Sequence, residues 1–259
     1  MIKYFILFNL FISSFAFART ISFHEEKCIS FRVDFWEQVY TEIDIDEAII
    51  HDPQTLKIYE VINWPEGKKQ RKALTNLITN KYSKLGLTIR IQQGISSRFE
   101  AGMIRYNSSL GKSIHEEFKK QNLPKELVLL PHVESSYNPK ALSKVKANGL
   151  WQIMPKTAKN YGLRDTKKLK EPNIATKIAA KIFSSDYQAI GSWPLSITGY
   201  NQGRGAMLNA KKQLGTDICK IIDKYDGKYF KFSGENFYAS FLAVIRIVEK
   251  RNIPLYNQY

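Results

Sequence analysis

Residues 123–136 read LPKELVLLPHVESS, an apolar stretch that ends on a single carboxylate, Glu134. Pro124 suits the first turn of a helix, and leucine and valine recur at helical steps, so this pattern predicts a helix over residues 124–135. Burial at the end of such a helix would raise the pKa of the glutamate and keep it protonated near neutral pH. On this stretch alone two interpretations stay open, a general acid and a partly exposed glutamate that ends an ordinary core helix.

The same periodicity predicts helices along most of the chain. Apolar residues recur at three- and four-residue steps over residues 36–42, 69–84, 111–121, 172–189, 195–201 and 236–249. The strand-like stretch at residues 87–91 is short and ambiguous. We therefore predict a mainly α fold, with a helical N-terminal region over residues 19–110 that packs on a second domain over residues 111–259.

The composition predicts a folded, basic protein with an anionic partner. The 259 residues are 44% hydrophobic and include 39 Lys+Arg against 24 Asp+Glu, which excludes a disordered chain. Residues 134–259 carry 21 basic and 9 acidic side chains, whereas residues 19–133 carry 17 and 15. Zinc spacings, aromatic RNA-binding motifs and basic heptads are lacking, so a carboxylate-rich extracytoplasmic polymer fits better than nucleic acid.

Residues 1–18 have the composition of a cleaved secretory signal peptide. Lys3 precedes an uncharged apolar run that closes on Ala16-Phe17-Ala18. An uncleaved membrane anchor is the weaker alternative, because the run is shorter than the roughly 20 residues of a spanning helix. We therefore expect an exported protein, either periplasmic or secreted.

The cysteines and histidines give no sign of a metal site. Cys28 and Cys219 are too few for a disulfide framework or a thiolate centre, and an exported protein could pair them. Nothing in their spacing indicates that they meet, so we expect two separate small apolar residues. The histidines lack metal-ligand spacing, and His132 is expected to be a packed residue of its helix. No metal and no cofactor are predicted.

Two further blocks carry residue types suited to binding a sugar. Residues 141–158 read ALSKVKANGLWQIMPKTA, and residues 195–205 read LSITGYNQGRG. Aromatic rings can stack on a pyranose while amides and hydroxyls bind its substituents. The GxG of the second block lacks the lysine of a phosphate loop and is interpreted as a helix stop. Trp36, Tyr40 and Trp64 are expected in the core.

Four blocks together resemble the soluble lytic transglycosylase family, and within it the membrane-bound lytic murein transglycosylase D-like group. In chain order they are Glu134-Ser135, Gly149-Leu-Trp-Gln-Ile-Met-Pro155, Tyr200-Asn201 and Glu235-Asn-Phe-Tyr238. Similarity runs from about residue 35 to about residue 241. Lys146-Ala147 stands where the family commonly has Gly-Ala, so this loop is expected to survive with an altered shape.

The resemblance implies a lysozyme-like transglycosylase domain that cleaves peptidoglycan glycan strands. Glu134 would protonate the oxygen between N-acetylmuramic acid and N-acetylglucosamine, then take the proton of the muramyl O6, leaving a 1,6-anhydro end. It further implies that Tyr200 hydrogen-bonds Glu134. The other implied substrate-binding residues are Ser143, Gln152, Met154, Asn201 and Tyr238.

The residues themselves favour a single acid/base. The chain from Ser135 through Arg164 holds no Asp or Glu but six basic residues, whereas a glycosidase ordinarily uses two carboxylates. Two alternatives stay open, a hydrolytic muramidase on the same fold and a catalytically silent peptidoglycan-binding protein. In each case the partner is peptidoglycan at the periphery of the cell envelope, and nucleic acid is not expected.

Overall fold

Helices dominate the computed structural model, which describes residues 23–255; the predicted signal peptide lies outside the described residues. The helices are α1 (Ser30–Thr41), α2 (Lys68–Ser83), α3 (Ser96–Tyr106), α4 (Ser109–Lys120), α5 (Leu130–Ser135), α6 (Pro155–Asn160), α7 (Pro172–Ile190), α8 (Trp193–Gln202), α9 (Arg204–Leu214), α10 (Ile218–Lys224) and α11 (Phe232–Lys250). Short 3-10 turns occupy Lys27–Ile29, Lys125–Leu129 and Thr166–Lys170. The mainly α prediction is confirmed.

Each stretch with helical periodicity overlaps a helix, but the stretch that carries Glu134 is divided. A 3-10 turn covers its first part, and α5 begins at Leu130. Residues 127–130 are fully buried, because the turn and helix lie against α4 and α11. Periodicity did not indicate α3, α6, α9 or α10.

The N-terminal region contains a sheet that the sequence did not predict. Its strands are β1 (Glu47–His51), β2 (Ile58–Asn63) and β3 (Arg90–Gln93), in the antiparallel order β2-β1-β3. Three consecutive residues of the central strand, 48–50, are fully buried, because one face packs on α1 and the other on α2. A strand buried on both faces shows no polar alternation, which is why the prediction of a helical region over residues 19–110 was incomplete.

One hydrophobic core joins helices from both parts of the chain. Val33 of α1 and Phe99 of α3 belong to the same buried cluster as Trp151, Phe183 of α7 and Phe241 of α11. Helix α11 is the centre of this core, because thirteen of its nineteen residues are buried. The core therefore runs across residue 110, and the domain boundary at that position stays a prediction.

Helix α1 packs against α11 through polar contacts as well as through the hydrophobic core. Arg246 of α11 pairs with Glu25 and Asp34 at 2.5 Å each and with Glu37 at 3.1 Å. Nearer the start of α11, the Asn236 amide oxygen accepts a hydrogen bond of 3.4 Å from the Trp36 indole. These contacts hold α1 in one register against α11.

A disulfide adds a covalent link between the two parts of the chain. Cys28 and Cys219 are bonded, with their Cα atoms 6.1 Å apart and a sequence separation of 191. The expectation of two separate cysteines was wrong. The segment before α1 meets α10, an encounter created by tertiary packing that no local pattern encodes.

No helix among residues 23–255 is long and apolar enough to cross a membrane. Within the same range, no group of three or more His, Cys, Asp or Glu side chains could hold a metal ion.

Breaking the disulfide is expected to lower the stability of the fold. Because the bridge restricts the unfolded chain, the double variant Cys28→Ala and Cys219→Ala should lose about 2–5 kcal/mol in its free energy of unfolding. Urea unfolding of both proteins measures the difference. Equal stability, with the parent shown to be oxidised, would contradict the importance of this link.

Candidate active site

Glu134 lies in the last turn of α5, and the backbone directly after it is tightly fixed. Ser136 ends the helix in the left-handed region at φ 49°. Its carbonyl accepts a hydrogen bond of 2.9 Å from Arg105 of α3, and the Tyr137 hydroxyl donates to the carbonyl of Val128. These contacts fix the position from which the Glu134 side chain projects.

The neighbouring Ser135 connects α5 to the loop that follows. Its hydroxyl donates to the Leu150 carbonyl at 2.7 Å and accepts from the Asn138 backbone at 3.1 Å. Ser135 is therefore committed to structure, and it sets the distance between Glu134 and residues 149–155.

Burial raises the pKa of the Glu134 carboxyl group to about 8. A carboxylate that is removed from water loses its hydration, so the neutral form is favoured. The side chain consequently holds its proton at neutral pH, which is the protonation state that a general acid needs.

Glu134 lines a pocket of about 330 Å³ that is formed by five parts of the chain. Helices α1 and α11 supply aromatic and polar side chains, β3 supplies two long polar ones, and α8 supplies an amide. The other residues that line it are Trp36, Tyr40, Arg90, Gln92, Ile95, Val133, Asn201, Phe232, Ser233, Asn236, Phe237 and Ser240. Glu134 is the one carboxylate in this lining.

A second pocket, of about 460 Å³, lies at the end of α8. Gln152, Met154, Tyr200, Asp186 and Arg204 are among its lining residues. Tyr200 lines this pocket while the next residue in sequence lines the Glu134 pocket. Both pockets therefore reach the C-terminal end of α8, where an extended ligand could contact the two together.

Tyr200 takes a different partner from the one expected. Its hydroxyl donates to the carbonyl of Trp151 at 2.7 Å, and its ring stacks on Phe183 with centroids 4.8 Å apart. Burial raises the pKa of Tyr200 well above its ordinary value, and the charge of Glu134 adds to the increase. The implied hydrogen bond from Tyr200 to Glu134 is thus replaced by a bond that fixes the loop lining the second pocket.

The loop over residues 141–155 is held by its own hydrogen bonds. Ser143 accepts from the backbone of Ala147 at 2.9 Å, and the Gln152 amide donates to Gly149 at 2.8 Å. Gly149 has φ 72°, and a Cβ there would lie 2.1 Å from the Leu169 carbonyl oxygen, so only glycine fits. Ser143 lines neither of the two pockets.

Lys146, where the family commonly has glycine, has φ 66°. Lysine therefore adopts the left-handed backbone that glycine takes without strain. The loop keeps the conformation that a glycine would favour.

Trp151 and His132 both pack in the core. The Trp151 ring is fully buried, stacks on Phe118 at 5.2 Å and donates to Thr176 at 3.0 Å. His132 is buried against Phe99, and burial lowers its pKa to about 3, which keeps the ring neutral. The expectation of a packed histidine is confirmed.

The other predicted site residues divide between the pockets and the interior. Asn201 lines the Glu134 pocket and accepts a hydrogen bond of 3.0 Å from Ser233, and Met154 is 39% exposed at the second pocket. Tyr238 is 1% exposed and its hydroxyl donates to the His24 carbonyl at 3.4 Å. The structure therefore does not bring Tyr238 to Glu134.

Sequence patterns missed several residues that line the Glu134 pocket. Trp36, expected in the core, is only partly buried and faces this pocket, and Arg90 and Phe232 were not considered. They lie on three different elements, so no spacing along the chain could have grouped them. Helical periodicity could have flagged Trp36, which has polar neighbours on its own helix.

Comparisons with known proteins match the part of the chain that carries Glu134. Residues 112–221 match the family model described as Transglycosylase SLT domain. Over 100 residues, or 37% of the chain, the sequence is 40% identical to the membrane-bound lytic murein transglycosylase D of Escherichia coli strain K12, and equally to that of the O6:H1 strain CFT073. The chain spans 22% of the length of these relatives. The resemblance that the sequence indicated is thus confirmed over residues 112–221.

A solved structure of an inactive mutant of the lytic transglycosylase Slt from Pseudomonas aeruginosa is also similar. The two chains are 23% identical with a TM-score of 0.46, over 58% of this chain and 26% of the other.

The raised pKa of Glu134 is expected to make stability depend on pH. Its folded pKa of about 8 lies above the ordinary value of 4.5, so the folded state binds more protons and stability falls as pH rises through that window. The Glu134→Gln variant has no carboxyl group to ionise, so its free energy of unfolding does not fall in this way. Its advantage over the parent should grow by up to about 1.4 kcal/mol per pH unit between the two pKa values. Urea unfolding of both proteins at several pH values measures it, and parallel curves would contradict the assigned burial.

Removing the Tyr200 hydroxyl is expected to loosen the loop that lines the second pocket. Tyr200→Phe leaves the Trp151 carbonyl without its 2.7 Å partner, at a cost of about 1–3 kcal/mol in the free energy of unfolding. The pH midpoint of any Glu134 titration should not move, because the two side chains share no hydrogen bond. A shifted midpoint with unchanged stability would contradict this assignment.

Proposed function

We propose that this protein is a peptidoglycan lytic transglycosylase, which cleaves the β-1,4 bond between N-acetylmuramic acid and N-acetylglucosamine without water. One observation carries the proposal. Glu134 is a carboxylic acid that burial keeps protonated, and it is the one carboxylate lining its pocket. The match to the transglycosylase SLT domain includes this residue.

The reaction needs one group that first gives a proton and then takes one. Protonated Glu134 donates to the glycosidic oxygen as the bond from the muramyl C1 breaks, and the muramyl N-acetyl group supports the electron-poor carbon. The Glu134 carboxylate then removes the proton of the muramyl O6 as that oxygen bonds to C1. The products are a free N-acetylglucosamine hydroxyl and a 1,6-anhydro end, and Glu134 returns to its starting state.

The surroundings of Glu134 support this single-carboxylate route. A hydrolase of the ordinary kind would place a second carboxylate about 5–9.5 Å away to act on C1 or on water. The acid in the adjoining pocket, Asp186, is 3% exposed and bonded to Arg204 at 2.6 Å. A buried carboxylate held by an arginine is poorly placed to serve as that second group.

The pocket residues suit a sugar chain. Trp36 and Phe232 offer aromatic surface next to Glu134, and Asn201 offers an amide. Gln152 and Met154 extend the polar and apolar surface into the adjoining pocket. A strand of several sugars could therefore lie across the end of α8 with its scissile bond at Glu134.

An extracytoplasmic location is part of the proposal. The signal-like residues 1–18 and the Cys28–Cys219 disulfide both favour export, because such bonds persist in oxidising compartments. We infer that the protein acts in the periplasm or outside the cell, where its polymer substrate lies.

Product analysis tests the function directly. Purified sacculi incubated with the protein should release muropeptides with 1,6-anhydro ends, identified by mass spectrometry. Reducing ends would indicate a hydrolytic muramidase, and intact sacculi a binding protein; either result would overturn the proposal.

Replacing the acid should abolish turnover. Glu134→Gln cannot donate or accept the proton and should slow release by at least about 10²–10⁴-fold. Glu126→Gln is the matched control, because the pKa of Glu126 is also raised by burial and this residue lines neither pocket. Its turnover should stay within about twofold of the parent, since the side chain touches neither pocket. Equal losses in both variants would show that Glu134 has no special role.

A further inference from the structure

The N-terminal sheet reaches the pocket of Glu134. Strand β3 contributes Arg90 and Gln92 to the lining, and the start of α11 contributes Phe232. All three lie outside residues 112–221, the range that matches the SLT domain. The pocket is therefore incomplete without the sheet.

Arg90 is a cation without a carboxylate partner among the ion pairs of residues 23–255. Its guanidinium carbon lies 4.0 Å from the centroid of the Phe232 ring. Stacking on an aromatic face orients the guanidinium and leaves its N–H groups free to bind at the edge. The contrast is Arg246, which three carboxylates surround.

Arg90 and Glu134 line the same pocket from different elements. Arg90 is on β3, whereas Glu134 is in the last turn of α5. Arg90 is therefore placed to bind a part of the ligand next to the reacting bond.

Gln92 adds a second recognition group beside this cation. Its amide nitrogen donates to the Gln93 carbonyl at 2.9 Å, which fixes the side chain and leaves the amide oxygen as an acceptor. A guanidinium fork pairs with a carboxylate, and an amide oxygen pairs with an N–H. The combination matches a peptide that ends in, or carries, a carboxylate.

We propose that Arg90, Gln92 and Phe232 form a subsite that binds a carboxylate of the peptide stem on the substrate's muramyl residue. The proposal rests on the function proposed above and deepens it. The sugars of the strand are uncharged once the lactyl group is amidated, so the stem peptide is the source of carboxylates. Arg90 is thus a specificity-determining residue, and the sheet selects strands that still carry peptide.

Binding measurements in the Glu134→Gln background test this subsite without turnover. The two probes are a peptidoglycan tetrasaccharide whose stem peptides have free carboxylates, and the same tetrasaccharide with those carboxylates converted to carboxamides. Isothermal titration calorimetry gives Kd for each. The Glu134→Gln protein should bind the free carboxylate probe about tenfold more tightly, as expected for one charge-assisted contact.

Adding Arg90→Gln should bring the two Kd values to within about twofold of each other. Lys84→Gln is the matched control, since it removes one positive charge six residues earlier, from an exposed side chain outside the pocket. It should keep the tenfold preference. Because each preference is a ratio within one protein, a partly unfolded sample cannot mimic the result.

Three results would overturn the subsite: no preference in the Glu134→Gln protein, a preserved preference after Arg90→Gln, or loss of binding to both probes in that variant. The last would show that Arg90 supports the pocket and does not read the carboxylate. Product analysis on sacculi tests the transglycosylase reaction separately, so failure of one proposal is distinguishable from failure of the other.

Discussion

The burial of one carboxyl group, that of Glu134, is the constraint on which the site depends. Removing a carboxylate from water without a compensating charge costs stability, and the group responds by keeping its proton. The backbone around it is fixed by strong contacts, including Ser135 to Leu150 and Arg105 to Ser136. The fold thus disfavours the ionised form of this acid. The protonated form, which proton donation requires, is favoured.

The N-terminal part of the chain completes this site and does not merely precede it. Helix α1 packs along α11, and the charged contacts of Arg246 fix their register. That register places Trp36 beside Glu134, and the sheet behind α1 delivers Arg90 to the same pocket. The disulfide adds a covalent restraint where the segment before α1 meets α10. A family match over residues 112–221 therefore covers the acid but only part of its surroundings.

How far the sequence predicted this arrangement depended on the range of each interaction. Local patterns located the helix of Glu134, because apolar spacing and a proline start are encoded within a dozen residues. Strand β1 was not predicted, because burial on both faces removes the alternation of polar and apolar residues that marks a strand. Trp36 and Arg90 join Glu134 through tertiary contacts. The hydroxyl of Tyr200 donates to the backbone carbonyl of Trp151, whereas the family pattern implied a hydrogen bond to Glu134. Motifs indicated the types of residue in the site, but the contacts that each residue makes could be read only from the packed structure.

A direct titration of the acid tests the account most sharply. The side-chain carboxyl carbon of Glu134 can be followed by ¹³C NMR in protein labelled at glutamate, with Glu134→Gln identifying the resonance. The account predicts a midpoint near the value of about 8 that burial imposes. A midpoint near the ordinary 4.5 would mean that the carboxyl group is solvated and ionised at neutral pH, and a single-acid mechanism at this residue would then lose its physical basis.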